Sequence, residues 1–156
     1  MTRIEDARER ADRWSPFLSG LIARDLGTAQ ALADDADMPL MRRLRLERRR
    51  LALEVALGDL SGALDLTAVT ARLSDFADGA LDRAIAAAIA ERTPGEARRG
   101  FAAIALGKQG SHELNYSSDI DPILIYDPAT LPHRPREDVA DAAVRIARRV
   151  LELLQG

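Results

Sequence analysis

The chain has 156 residues, 47% hydrophobic and 30% charged, the proportions of a folded protein rather than a disordered one. Its 22 basic and 25 acidic residues leave a formal charge of −3, which removes the bulk electrostatic case for nucleic acid, and the absence of cysteine excludes a disulfide framework, a catalytic thiol and a thiolate zinc site. The histidines, His112 and His133, are too few for an imidazole metal cage, and no apolar run reaches the roughly 20 residues of a membrane span.

No signal-peptide pattern opens the chain, so the expectation is a cytoplasmic protein that uses no membrane. All but one of the 22 basic residues are arginine, the exception being Lys108.

Residues 1–99 read as successive helices, a helical lead-in region. The segment Met1 to Trp14 is polar with a few apolar positions. Ser15-Pro16 has the form of an N-cap followed by proline at the first helical position, and predicts a short helix around Phe17 to Ala23. Asp34-Asp35-Ala36-Asp37, ahead of Pro39, reads as a solvated turn. Apolar residues at Leu40, Leu44, Leu51 and Val55 predict a helix ending near Gly58. Asp65 caps a longer helix with Leu66, Val69, Leu73, Phe76, Ala80, Ala84 and Ala88 on one face, which ends at Thr93-Pro94-Gly95.

The pattern changes at Gly100. Phe101 to Leu106 and Ile120 to Tyr126 are short apolar runs of buried-strand length, joined by a turn-rich connection over 107–118. A Pro-rich loop over 128–135 precedes a helix from about Glu137 to Leu154, with Val139, Ala143, Ile146, Val150 and Leu153 inward. The fold class is therefore α+β, with helices over residues 1–99 and two strands followed by a helix in residues 100–156.

Asp119 and Asp121 are one residue apart on the second predicted strand, where alternation puts both carboxylates on one face. Two acids held that close repel one another unless a cation lies between them, and oxygen ligands of this kind suit Mg²⁺. Gly107 and Gly110 permit a tight turn, Gly110-Ser111 offers backbone N–H groups and a hydroxyl to a phosphate, and Lys108 supplies a point charge. From the residues alone, a phosphate–metal site and a structural loop stand as equal readings.

Leu106-Gly107, Gly110-Ser111 and Asp119-Ile120-Asp121 resemble the signature of the polymerase-β-like nucleotidyltransferase superfamily. The whole string from Ala105 to Asp121, Ala-Leu-Gly-Lys-Gln-Gly-Ser-His-Glu-Leu-Asn-Tyr-Ser-Ser-Asp-Ile-Asp, closely resembles the motif of the bacterial glutamine synthetase adenylyltransferases, which carry two related nucleotidyltransferase domains. Pro39 to Arg45 and Val69 to Asp78 resemble the helical region ahead of the first of these motifs, the adenylyl-removing half.

The resemblance implies an enzyme in nitrogen-assimilation control that removes AMP from adenylylated glutamine synthetase by phosphorolysis, releasing ADP. It further implies Mg²⁺ held by Asp119 and Asp121, phosphate or nucleotide contacts from Gly107, Lys108, Gly110, Ser111 and Ser118, and ATP/ADP, phosphate and a PII-type signalling protein as partners. The alternatives are AMP transfer from ATP onto a protein tyrosine, and a non-catalytic nucleotide- or partner-binding module.

The chain departs from the family pattern at Pro122, which has no N–H for a strand ladder, and at His112, where arginine is usual, so His112 receives no catalytic role. The resemblance also implies a third metal carboxylate on a later strand. No acid after Asp121 falls on a predicted strand, so the resemblance implies a partial nucleotidyltransferase domain over residues 100–156, with a truncated mixed sheet, and the expectation is an N-terminal fragment without turnover of its own.

The arginines at 42, 43, 45, 48, 49 and 50 read as a solvated helix face. Trp14 and Phe17 are expected to be core or helix-staple residues rather than ligand contacts. Tyr116 either lines the site or packs, Glu113 is expected to brace the loop through backbone N–H groups, and His133 is expected to face solvent.

Overall fold

The computed structural model describes residues 2–155. Its elements are α1 (Arg3–Trp14), α2 (Pro16–Asp34), α3 (Leu40–Ser61), α4 (Leu66–Arg92), β1 (Phe101–Ile104), α5 (Gly107–Gly110), β2 (Ile123–Tyr126) and α6 (Val139–Gln155). The α+β expectation holds, with helices dominant and one small antiparallel sheet.

Side-chain caps set the helix starts. Thr2 and Glu5 form a reciprocal capping box on α1. Ser15 Oγ accepts from Leu18 N–H ahead of Pro16, and Asp65 Oδ1 accepts from Ala68 N–H, both as the sequence indicates. Asp138 Oδ1 accepts from Ala140 and Asp141 at the head of α6.

Some boundaries differ from expectation. α2 continues past Ala23 to Asp34, because nothing between them breaks a helix: Gly27 is tolerated and the alanines around it favour continuation. α3 runs past Gly58 to Ser61, with Gly58 buried inside the helix under the Leu64 side chain. Trp14 and Phe17 are not core residues. They are 74% and 67% exposed at the α1–α2 junction, and the Arg13 guanidinium lies 5.0 Å from the Trp14 ring centroid.

Two apolar clusters hold the chain together. In the smaller, Ala7 and Ala11 of α1, Leu21 of α2 and Leu53 and Leu57 of α3 meet. The larger joins Leu81, Ala84, Ile85, Ala88 and Ile89 of α4 to Ala143, Ile146, Val150 and Leu153 of α6, with Phe101 and Leu131 completing it. The helical lead-in and the residues after Gly100 therefore share one core. Of the inward positions expected on α6, Ala143, Ile146, Val150 and Leu153 are buried and Val139 packs at the margin.

In the sheet, Phe101 pairs with Tyr126, Ala102 with Ile125, Ala103 with Leu124 and Ile104 with Ile123. Cross-strand partners share a face. Phe101, Ala103 and Leu124 lie against the α4–α6 core, while Ile104, Ile123 and Ile125 on the other face are exposed. Both strands are shorter than expected: β1 stops at Ile104, two residues before Leu106, and β2 begins at Ile123 rather than Ile120.

An ion-pair cluster closes the top of the α4–α6 contact. The Glu137 carboxylate, 8% exposed, accepts from Arg92 and Arg145 at 2.5 Å each and from the Arg134 N–H at 3.2 Å. Burial pushes the Glu137 carboxyl upward, but the Arg134 N–H and the two guanidiniums outweigh it and hold it below its ordinary value. Such a group stabilises the fold above the unfolded value of about 4.3, and that stability is lost as pH falls through the lower folded value.

Glu137→Gln is accordingly expected to destabilise the chain by roughly 3 kcal/mol at neutral pH, because it leaves Arg92 facing no charge. Urea unfolding should show a gap from the native sequence that is constant above about pH 5 and shrinks below about pH 4.

Candidate functional site

The loop over residues 105–121 leaves β1 and turns at once into α5, a single helical turn. Gly107 has φ +54°, in the left-handed region that favours glycine. A Cβ on Gly110 would lie 2.7 Å from the Ala105 carbonyl oxygen, so only glycine lets the turn close against the strand it left.

The closure commits several backbone donors. Gly110 N–H donates to Leu106 O at 3.2 Å, Ser111 N–H to Gly107 O at 3.1 Å and Glu113 N–H to Lys108 O at 2.7 Å. The N–H groups of Gly110 and Ser111, read from sequence as phosphate donors, are therefore spent inside the turn. By helix geometry the N–H groups left without an intrahelical acceptor are those of the first turn, at Gly107, Lys108 and Gln109. Lys108 is exposed, and its ammonium has no partner among the described residues.

Ser111 Oγ lies 2.9 Å from Glu113 Oε2, so Glu113 braces the loop through a hydroxyl and not through backbone N–H groups. Ser118 is engaged as well: its Oγ accepts from Asn115 N–H at 3.0 Å and donates to Asn115 Oδ1 at 2.9 Å, closing the 115–118 turn.

The helical region holds this loop at three points that the sequence reading did not identify. Gln109, 2% exposed, donates through Nε2 to Asp78 Oδ1 at 2.8 Å. Leu114 is buried, and its N–H donates to Ser74 Oγ at 3.3 Å. Tyr116, half exposed, donates through Oη to Asp59 Oδ2 near the end of α3 at 3.1 Å. Burial, with the Asp59 hydrogen bond adding to it, pushes the Tyr116 phenol up to about 12. The available signal was polar residues inside apolar runs, of which Ser74 in the middle of α4 is the plainest.

His112, at φ +57°, sits between two carboxylates of α4. Its Nδ1 is 3.7 Å from Asp75 Oδ1 and its Nε2 is 3.6 Å from Asp78 Oδ2. His133 faces solvent as expected, with Nδ1 against the Leu131 carbonyl.

Asp119 and Asp121 lie in the approach to β2 and not on a strand. Their would-be partner β1 has already turned away at Ile104 into α5, and Pro122 brings no ladder donor. Both carboxylates are exposed, and neither has a hydrogen bond or ion pair among the described residues. Two unpaired neighbouring acids offer oxygen ligands of the type that hard divalent cations accept. Among the described residues no group of three metal-ligating side chains forms.

A cleft of about 520 Å³ opens between α4 and β1, lined by Asp78, Asp82, Arg98, Phe101 and Gln109 among others. Arg98 forks onto Asp82 and holds that carboxyl below its ordinary range. Asp119, Asp121 and Lys108 do not line this cleft, which meets the loop only at Ala105 and Gln109.

Residues 17–156 match the family model described as glutamate-ammonia ligase adenylyltransferase. Among curated proteins, the chain is 42% identical to a bifunctional glutamine synthetase adenylyltransferase/adenylyl-removing enzyme of Xanthobacter autotrophicus, over 81% of this chain and 14% of that protein. It is 36% identical to the protein of the same description from Caulobacter vibrioides, over 90% of this chain and 17% of the relative. With that of Rhizobium meliloti it shares 35% identity over 76% of this chain and 13% of the relative. The chain thus spans only about a sixth or less of these relatives. No solved structure matches.

The Tyr116–Asp59 contact is open to direct titration. In a Tyr126→Phe background, which leaves Tyr116 as the single phenol, absorbance titration should place Tyr116 near 12. Asp59→Ala should bring it down toward the ordinary value of about 10 without reaching it, since burial persists. A second test concerns the turn: Gly110→Ala should cost about 1–3 kcal/mol in urea unfolding, because a Cβ has no room against Ala105.

Proposed function

The chain belongs to the glutamate-ammonia ligase adenylyltransferase family, and on that premise we propose that it is part of the adenylyl-removing half of such an enzyme. The observation that carries the reading is the Ala105–Asp121 string, which lies inside the matched residues and forms one glycine-framed turn followed by two unpaired carboxylates. The substrate is glutamine synthetase bearing AMP on a tyrosine, and the second reactant is inorganic phosphate.

An oxygen of phosphate attacks the phosphorus of the tyrosyl-AMP linkage. A new P–O bond forms, the bond to the tyrosine oxygen breaks, the tyrosine takes up a proton and ADP leaves. Phosphoryl chemistry of this type asks the protein chiefly for positioning and for charge opposite the phosphate oxygens. Lys108 provides an uncommitted cation, and the N–H groups at the head of α5, which have no acceptor within the turn, provide further donors. Asp119 and Asp121 would hold Mg²⁺, which when bound neutralises charge on the reacting phosphate. Remaining ligands would come from substrate oxygens and water.

The same constellation is able to serve AMP transfer from ATP onto the synthetase. The likeness of Pro39–Arg45 and Val69–Asp78 to the region ahead of the first nucleotidyltransferase motif is what favours removal. A PII-type protein as regulator and ATP or ADP as ligands belong to this reading as well.

The test is phosphate-dependent ADP release from adenylylated glutamine synthetase by the full-length protein that carries this segment, compared with Asp119→Asn/Asp121→Asn. The variant should lose at least about 100-fold in ADP release and keep ATP-dependent AMP incorporation. Loss of incorporation with release intact would transfer the site to the forward reaction, and retention of both would remove the acid pair from the chemistry.

A further inference from the structure

Gln109 lies between the two glycines of the turn, yet its side chain is 2% exposed and reaches α4. Burying an amide costs free energy unless both of its ends are paired. Here Nε2 donates to Asp78 Oδ1 at 2.8 Å, while Oε1 is buried with no partner among the described residues. A leucine of similar volume would fill the space without stranding an oxygen, so packing alone does not account for an amide at this position. Among the described residues the Nε2–Asp78 bond is the sole side-chain hydrogen bond from α5 to the helical region.

Asp78 also has its other oxygen 3.6 Å from His112 Nε2, just past the end of the turn. One carboxylate on α4 therefore faces both the middle of the turn and the residue where the loop leaves it. The residues whose N–H groups the turn leaves uncommitted, Gly107 and Lys108, directly precede Gln109.

We propose that Gln109 is a positioning residue: through Asp78 it fixes the Gly107–Gly110 turn on α4, so that Lys108 and the first-turn N–H groups are held ready for a phosphate oxygen. The proposal rests on the phosphate role assigned above to the turn. Gln109 touches no reacting atom, and its effect is on the orientation of its neighbours.

The experiment compares amide hydrogen exchange over residues 107–111, and binding of inorganic phosphate by calorimetry, in the native 156-residue chain and in three variants. Gln109→Leu keeps the volume and removes the tether. It should speed exchange at Gly110 and Ser111 about fivefold and weaken phosphate binding by a similar factor, with the unfolding midpoint unchanged or raised. Asp78→Ala should reproduce this loss. Asp78→Asn retains an oxygen acceptor for Nε2 and should keep native exchange and affinity.

Unchanged exchange in both Gln109→Leu and Asp78→Ala would overturn the proposal, as would a lowered unfolding midpoint in Gln109→Leu with exchange and affinity intact. If the native chain binds no phosphate while exchange follows the expected pattern, the phosphate reading of the turn falls and the tether stands. The two failures are thereby distinguished.

Discussion

The packing of α4 along α6 is the contact on which the rest of the chain depends. Ile85, Ala88 and Ile89 from one helix meet Ile146, Val150 and Leu153 from the other, and full burial of each larger aliphatic side chain contributes about 1.5–3 kcal/mol. Two strands of this length are marginal by themselves. They persist because Phe101, Ala103 and Leu124 lie against the helix pair, with Leu131 closing the loop that leads into α6. The Arg92–Glu137–Arg145 cluster then fixes where one helix ends relative to the start of the other.

The same helix that anchors the core also shapes the motif loop. Ser74 and Asp78 on α4 and Asp59 on α3 reach residues 109 to 116, so the loop takes its form from the helical region as much as from the strands that bracket it. The result separates two tasks. Buried Gln109 and Leu114 anchor the loop, while Lys108, Asp119 and Asp121 stand exposed with no protein partner among the described residues. The phosphate and Mg²⁺ roles proposed for these groups rely on that separation, since an unpaired charge beside a rigid support needs little rearrangement to meet a ligand.

Much of the helical architecture was readable because it depends on local chemistry. Ser15-Pro16 and Asp65 cap helices where their side chains predict, and the inward stripe of α6 follows from its 3.6-residue period. The errors arose where tertiary geometry decides. Strand ends at Ile104 and Ile123 depend on where the partner strand turns away, which no periodicity within one strand reports. Trp14 and Phe17 look like core residues by type, but the α1–α2 junction faces them outward. The site residues on the loop were legible as a motif, whereas their tethers were not, because Asp59, Ser74 and Asp78 lie 31 to 57 residues away from their partners in sequence.

The solitary lysine has a practical meaning for the chemist. Apart from the α-amino group at the chain start, Lys108 is the one primary amine in a chain whose other cationic side chains are guanidiniums or imidazoles. It stands exposed on the turn. An acylating dye or cross-linker aimed at amines therefore has a single side-chain target, at the place where the loop presents its free charge. A spectroscopic probe delivered this way needs no engineered cysteine, and it would report on the turn itself.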